Sequence, residues 1–473
     1  MYTDVTYQDW LAAPEYDRPK MILDIIKGYK ASADFASGLT ANQYFRSDNQ
    51  EVAKKTILRA RKMESTDASG RRRIRTAMED VVGNRIASSF LYRFVIQQNQ
   101  YLLSEGVVLK DDKMKDALGP NFDERLEQLG EKALLHGVAW GFWNVDHLEI
   151  IEAVKDHLSG AVALVDERTS EPMVLVQFWQ IGPDRPLYVR LFTLDGVAEF
   201  RTDKEGDLVE ISPLRPYILR TQTDALGTVI VGGENYALLP VRPLCANSER
   251  RSELTASIKS KIDAYDRILS DFADNLDRAN DVYWVLNNFG GTMDEIAEML
   301  EQINRIKAVA NISDGSGAAS TAEPHTIEVP YAARREALDL LERELYQDYM
   351  ALNMDVLTGG SLTNVAIRTA TANLNLKADR YEWQVRQFVR EILLLAGVDS
   401  DEIRFKRQTI ANESEIVADI AVMRDYIDTS TALKLNPYIQ EEDIATIIDN
   451  LDAESVAGQP TMDELESILR EGE

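Results

Sequence analysis

The chain has 473 residues, 45% hydrophobic and 28% charged, which fits a soluble folded protein with room for several domains. Its longest apolar run, 392–398, is far short of the ~20 residues a membrane span needs, and MYTDVTYQDW has neither the basic start nor the apolar stretch of a signal peptide. One cysteine, Cys245, excludes a disulfide framework or cysteine metal cluster and fits a reducing, intracellular compartment, while a formal charge of −27 argues against a general nucleic-acid-coating protein.

Residues 1–150 read as mostly helical. Within them, 54–75 carries nine Lys or Arg against Glu64 and Asp67. This basic segment, with Arg71, Arg72, Arg73 and Arg75 at its end, fits a DNA contact, an acidic neighbouring subunit or a solvated face. Apolar residues at helical spacing predict a helix from Val81 through Phe90, Phe94 and Leu102, and another over 123–142. From about 160 to 245 the period changes to two, with turns at GPDRP, LDG and DKEGD, which predicts an antiparallel β-meander.

Residues 252–279 predict one long amphipathic helix with Ser252 as N-cap. A small α/β insert follows: strand 282–286, helix 292–306, then strands 309–312 and 326–329, the last two joined by the small-residue link SDGSGAASTAEP. A second helix spans 332–352 and a third about 365–396. Beyond them come a strand-like piece, 403–410, a helical region from 413, and a capping box at Thr461–Glu464. Residues 440–473 carry eleven Asp or Glu against Arg470.

Little recognisable chemistry is present. A P-loop requires Gly-Lys-Ser/Thr, and no Gly-Lys dipeptide occurs. The histidines, His136, His147, His157 and His325, form no metal-ligand spacing, and His136 reads as a core-edge residue. Cys245 reads as a small buried hydrophobe. No cofactor, metal or catalytic residue is assigned. Between the second and third helices lies Thr358-Gly359-Gly360-Ser361, then Thr363 and Asn364. Two glycines let such a loop change shape while its helices stay fixed, and Thr363 or Asn364 can cap the third helix.

The stretch 247–286, NSERRSELTASIKSKIDAYDRILSDFADNLDRANDVYWVL, resembles the signature helix of siphophage-type portal proteins of tailed double-stranded-DNA bacteriophages. It matches at Asn247, Ser252, Leu254, Ile262, Asp263, Ala264, Tyr265, Ser270, Asp271 and Asp281, and departs at Ala246, Glu253 and Asp266. NVAIRTATANL, 364–374, is similar to the start of that family's helix after the tunnel loop, with Asn364 where glycine is usual. The detailed likeness covers about 240–400.

The resemblance implies an α+β portal fold with wing, long-helix stem, small α/β clip, tunnel loop and helical crown. The wing would be 1–246, the stem helix 247–280, the clip 281–330, the second stem helix 331–353 and the tunnel loop 354–364. The long helix and return strand of the wing would be 365–411, and crown with acidic tail 412–473. It implies a homo-oligomeric ring of about twelve copies at one capsid vertex. Double-stranded DNA would pass without sequence specificity, and the partners would be the terminase large subunit, major capsid and scaffolding proteins, and head-tail connector proteins. Assembly would occur in the host cytoplasm, with no membrane. Thr358, Gly359, Gly360, Ser361, Thr363 and Asn364 would face DNA, and Asp294, Glu295, Glu298 and Glu301 of the clip would contact the motor or an adaptor. The alternatives are another head-tail adaptor, or a DNA-processing enzyme with a dispersed carboxylate site.

Overall fold

The structure is a computed structural model that describes residues 5–66, 72–224, 227–279, 283–287, 321–325, 331–354, 363–400, 402–407, 413–424, 426–440 and 443–457. It divides into two compact units, Met1–Ala351 with Lys377–Arg407, and Leu352–Leu376 with Gln408–Glu473. Helix and sheet are mixed throughout, as the α+β reading expects.

In the first unit, Thr6 and Asp9 cap each other's backbone N–H groups to start α1 (Tyr7–Ala12). Next come α2 (Arg18–Ala31), α3 (Ala33–Phe45) and α4 (Gln50–Ala53). The basic segment then departs from the helical expectation. It forms an antiparallel ribbon, β1 (Thr56–Thr66) with β2 (Arg72–Val82), in register from Thr56↔Val82 to Thr66↔Arg72. Val81 is therefore a strand residue, and the helix expected from it begins only at Phe90 (α5, Phe90–Leu103).

After β3 (Val107–Leu109) and α6 (Asp112–Asp116), α7 (Phe122–His136) stops short of 142. Gly137 ends it in the left-handed conformation, φ +84°, where an added Cβ would lie under 3.0 Å from the Arg250 carbonyl oxygen. Val138–Asn144 is instead β4, buried on both faces. Val138, Trp140 and Phe142 enter one core and Ala139 and Trp143 another. A strand covered on both sides has no polar alternation, so its apolar run merges by pattern with the helix before it.

β5 (His147–Glu152) and β13 (Val241–Cys245) flank β4 in a three-stranded sheet. The meander consists of β6 (Gly160–Val165), β7 (Pro172–Gln180), β8 (Leu187–Thr193), β9 (Gly196–Thr202) and β10 (Leu208–Arg215), paired in chain order. It ends at Arg215 rather than 245, since β11 (Ile218–Asp224) and β12 (Gly227–Glu234) pair only with each other. One face of the meander packs Val162, Val176 and Phe178 against Ile22, Ile25, Tyr29 and Phe35 of α2 and α3. The other packs Ala161, Leu175 and Phe192 against Trp140 and Val241.

The long helix α8 spans Ala256–Ala279. Ser252 does not cap it: its hydroxyl accepts from Leu254 N–H, and Thr255 Oγ1 instead accepts from Ile258 N–H. β14 (Tyr283–Asn287) pairs with β15 (Thr321–His325), so part of the presumed link SDGSGAASTAEP is strand. The predicted helix 292–306, the strands 309–312 and 326–329 and the capping box at 461–464 lie outside the described residues. α9 (Tyr331–Tyr349) ends at Met350, φ +63°. α10 (Asn364–Leu395) follows, and β16 (Ile403–Phe405) pairs with β3 over a shorter length than 403–410. In the second unit lie α11 (Glu413–Met423), α12 (Thr429–Leu435), α13 (Ile444–Ala457) and the first turns of α10.

Candidate functional site

The long helices carry the features that mark this chain out. At 1.5 Å per residue, the 24 residues of α8 run about 36 Å. Its apolar side, Ile258 and Ile262, is buried with Leu254 just before it and with Phe90, Phe94 and Tyr349. α9 lies antiparallel to it. Near the start of α8, Lys261 Nζ reaches Glu344 at 2.9 Å and Asp348 at 2.8 Å. Near its end, Phe272 meets Tyr331 edge-on at 5.7 Å, and Arg334 donates to the Asp271 carbonyl at 3.2 Å. The β14–β15 pair is inserted between these two helices in sequence.

A second stripe of α8 is polar and buried: Asp266, Ser270 and Asp274, spaced by four. Residues 84–88, outside any helix or strand, run along it. Ser88 N–H donates to Asp266 Oδ1 at 2.9 Å, Ile86 N–H to Ser270 Oγ at 3.0 Å, and Asn84 N–H to Asp274 Oδ1 at 2.7 Å. Two residues of extended chain span about 6.6–6.8 Å and four helical residues about 6 Å, so alternate N–H groups meet acceptors one turn apart. The acceptors replace a β-partner that this segment lacks, which is why it does not continue as helix from Val81.

The same stripe collects side chains. Asn49 Nδ2 donates to Asp266, Tyr44 Oη to Asp263, and Lys55 Nζ lies 2.6 Å from Asp274 Oδ2 and 2.8 Å from Asp271 Oδ1. Burial pushes the Asp266 carboxyl above its ordinary range, despite donors from Ser88 and Asn49. Burial pushes Asp274 the same way, but Asn84 N–H and the Lys55 ammonium outweigh it and hold that carboxyl below its usual range. Another largely buried charge ties α9 and α10 to the turn before α8. Lys377 Nζ sits 2.8 Å from Glu253 Oε2, 2.8 Å from the Tyr349 carbonyl oxygen and 3.2 Å from the Tyr349 ring centroid. Burial lowers the affinity of Lys377 for its proton, and Glu253 opposes that.

The sequence did not single out Asp266, Ser270 and Asp274 as a unit. The signal available was three small polar residues at i, i+4 and i+8 on a helix whose other stripe is apolar. Of the residues it did single out, Thr363 and Asn364 are described. Thr363 is the cap, its Oγ1 accepting from Ala366 N–H at 3.3 Å, and Asn364 N–H donates to Glu415 Oε2 at 2.6 Å. Arg72, Arg73 and Arg75 are β2 residues opposite Thr66, Ser65 and Met63. Thr358, Gly359, Gly360, Ser361, Arg71 and the clip carboxylates Asp294, Glu295, Glu298 and Glu301 lie outside the described residues.

His136 is buried, its Nε2 2.9 Å from Asn42 Oδ1, and burial, aided by nearby Lys132, pushes its pKa down to about 3. It is a neutral core residue. Cys245 is buried too, with its thiol pushed up by that burial. Asp203, Glu205 and Asp207 crowd one exposed turn, where Asp203 Oδ1 accepts the N–H groups of the other two. Among the described residues, no helix is long and apolar enough to cross a membrane.

Compared with known proteins, residues 39–472 match the family described as "Phage portal protein, SPP1 Gp6-like". The chain is 24% identical over 388 residues to the portal protein of Clostridium phage phiCD119, covering 76% of this chain and 82% of that one. It is also 24% identical over 401 residues to the portal protein of Bacillus phage SPP1, covering 77% of this chain and 75% of that one. A match reaching from the third helix almost to the last residue, over the α8 helix and the strands on either side, shows that the chain belongs to the phage portal protein family.

Proposed function

We propose that copies of this chain form a ring of about twelve subunits at one capsid vertex, a channel through which double-stranded DNA is packaged and later ejected. The observation that supports this best is the antiparallel α8–α9 pair, bracketing the β14–β15 ladder, in a chain of the portal family. In this reading the wing is 1–246 with 365–411, the stem 247–280 with 331–353, and the clip 281–330. The tunnel loop is 354–364 and the crown, with its acidic tail, 412–473. The ring docks the terminase large subunit, sits among major capsid and scaffolding proteins, and then carries head-tail connectors. The chain itself has a structural, not a catalytic, role.

Physical chemistry favours neutral contacts in such a channel. Several phosphate contacts to a basic wall would hold DNA nonspecifically at roughly 10⁻⁴–10⁻⁶ M, about 5.5–8 kcal/mol to be broken as it advances. Thr358, Ser361, Thr363 and Asn364 would offer hydroxyls and amides instead, while Gly359 and Gly360 let the loop flex. The clip carboxylates Asp294, Glu295, Glu298 and Glu301 would meet the motor or an adaptor. Electron-microscope class averages with a native mass test the reading. A ring with a hole wide enough for duplex DNA is expected. A compact monomer or dimer that cleaves DNA or hydrolyses ATP would replace it with the enzyme alternative.

A further inference from the structure

The five-stranded meander has two edges, and they are built differently. The β10 edge is guarded. Pro213 interrupts it, and its pairing with β9 slips between Glu210 and Ser212 and again between Ser212 and Arg215. Proline and bulges both keep a further strand from adding. β6, at the other edge, is Gly-Ala-Val-Ala-Leu-Val, with no proline and no charge. At its start Ala161 N–H donates to the Ala153 carbonyl at 3.0 Å; past that point, among the described residues, no strand continues the sheet on that side. Its register with β7 is unbroken from Gly160↔Phe178 to Leu164↔Val174. Alternate residues of a strand turn their backbone groups to the same edge, so Ala163, in step with Ala161, turns its N–H and C=O away from β7. Ala163 is 4% exposed, and among the described residues these two groups have no partner.

That edge lines a cleft of about 670 Å³, together with residues 5–7 and the loop 248–250. The loop is firmly set, since Gly137 packs on the Arg250 carbonyl and Ala246 N–H donates to the Gly137 carbonyl at 3.0 Å. Two residues of the cleft, Ser170 and Arg250, hold left-handed backbone without being glycine, φ +59° and +56°. They are joined by Arg250 Nη2, which donates to the Ser170 carbonyl at 3.4 Å. Backbone strain of this kind gathers at ligand clamps. The cleft carries Asp166, Glu167 and Glu249 against Arg250. Arg251 meets Glu249 at 3.5 Å, and Glu167 has no ion-pair partner among the described residues.

We propose that the β6 edge takes up an extended segment of another protein as a sixth strand, one bearing a lysine or arginine that meets the acidic side of the cleft. Main-chain bonds to Ala163 give affinity whatever the sequence, and Glu167 with Glu249 selects the cation. A nucleic-acid backbone would be repelled by the same carboxylates. The proposal uses residues of one copy and does not depend on the ring reading.

The test selects short random displayed peptides on the full chain, then measures the synthesised, labelled peptides by fluorescence anisotropy. Two variants locate the binding. Ala163→Pro removes the edge donor and spares the β6–β7 ladder, because that N–H faces away from β7. Glu167→Lys with Glu249→Lys reverses two exposed charges. Selected peptides should share a lysine or arginine and lose at least about tenfold in affinity on either variant, the scale of a main-chain or charge-assisted hydrogen bond. Hydrogen exchange over 160–166 should slow when they bind. A selection that yields no binder, or binders indifferent to Ala163→Pro, overturns the proposal. Should Ala163→Pro not fold, peptides methylated on alternate backbone nitrogens are measured on the unaltered chain. One of the two methylation patterns should lose binding, and tolerance of both leaves a charge contact without a strand, which also overturns it. Binders that reproduce a segment of this chain would make the occupant a second copy and overturn the assignment to another protein.

Discussion

Asn84 and Asp274 are 190 positions apart, yet the backbone N–H of the first donates to the carboxylate of the second at 2.7 Å. The other carboxylate oxygen holds Lys55, so one side chain of α8 fixes both the entrance and the exit of the β1–β2 ribbon. Asp274→Ala leaves a half-buried lysine and a backbone donor without that acceptor. It should lower stability by about 3 kcal/mol in denaturant unfolding and open residues 83–89 to proteolysis. Asp274→Asn keeps an oxygen for the N–H and should cost less. Because the folded-state pKa of Asp274 lies below its unfolded value, its contribution is present above pH 3.8 and is lost as pH falls through the folded pKa.

Asp266 behaves in the opposite sense. Burial raises its folded-state pKa, so the folded chain holds this proton more tightly than the unfolded chain does. Its anion therefore costs stability above the folded pKa, and the cost is relieved as pH falls through that pKa toward 3.8. Melting curves of the wild type and Asp266→Asn should converge or cross on lowering pH from 7 toward 4.5, with the wild type gaining relative to the variant. A difference independent of pH would remove this account of Asp266.

The Lys377–Glu253 pair is largely buried beside Tyr349. Lys377→Ala strands Glu253 and should cost about 3–5 kcal/mol, whereas replacing both by apolar residues, Lys377→Met with Glu253→Leu, should recover much of that loss. A double-mutant cycle by chemical unfolding measures the coupling, and additive losses would show that the two charges act separately.

Gly137 meets two demands at once, a left-handed φ and close approach to the Arg250 carbonyl. Gly137→Ala should lower stability by at least about 2 kcal/mol, since the φ alone costs roughly 1–2 and the overlap adds to it. Thermal unfolding of the variant is the check, with Gly397→Ala as control: Gly397 also has positive φ, but nothing lies within 4 Å of its added Cβ.

The loop of the proposed tunnel is tested in the assembled particle. Proline at both Gly359 and Gly360 fixes φ near −65° and removes two backbone donors. In a phage lacking its own portal gene and complemented with this chain, the double variant should package at least tenfold less DNA while capsids still form. Unchanged packaging would leave 354–364 as a simple helix connection.

Helical period alone located most of α5, α8, α9 and α10, because each buries one stripe along its whole length, and apolar residues three and four apart record that burial directly. The α8 signature carried the family for the same reason: Ile262, Asp263 and Tyr265 each have a packing or hydrogen-bond partner set by their place on the helix. What depended on distant chain was not legible. The ribbon at 56–82 falls within a stretch that reads as mostly helical, because its strands answer to each other and not to a local period. β4 looked like the end of α7 because both its faces are covered. Residues 83–89 have no pattern of their own, since their backbone is satisfied by side chains more than 170 positions away. Local sequence determined where the chain coils, through side-chain burial at short range. Tertiary structure decided which polar groups find partners, because an extended segment takes its hydrogen bonds from whatever surface the fold brings beside it.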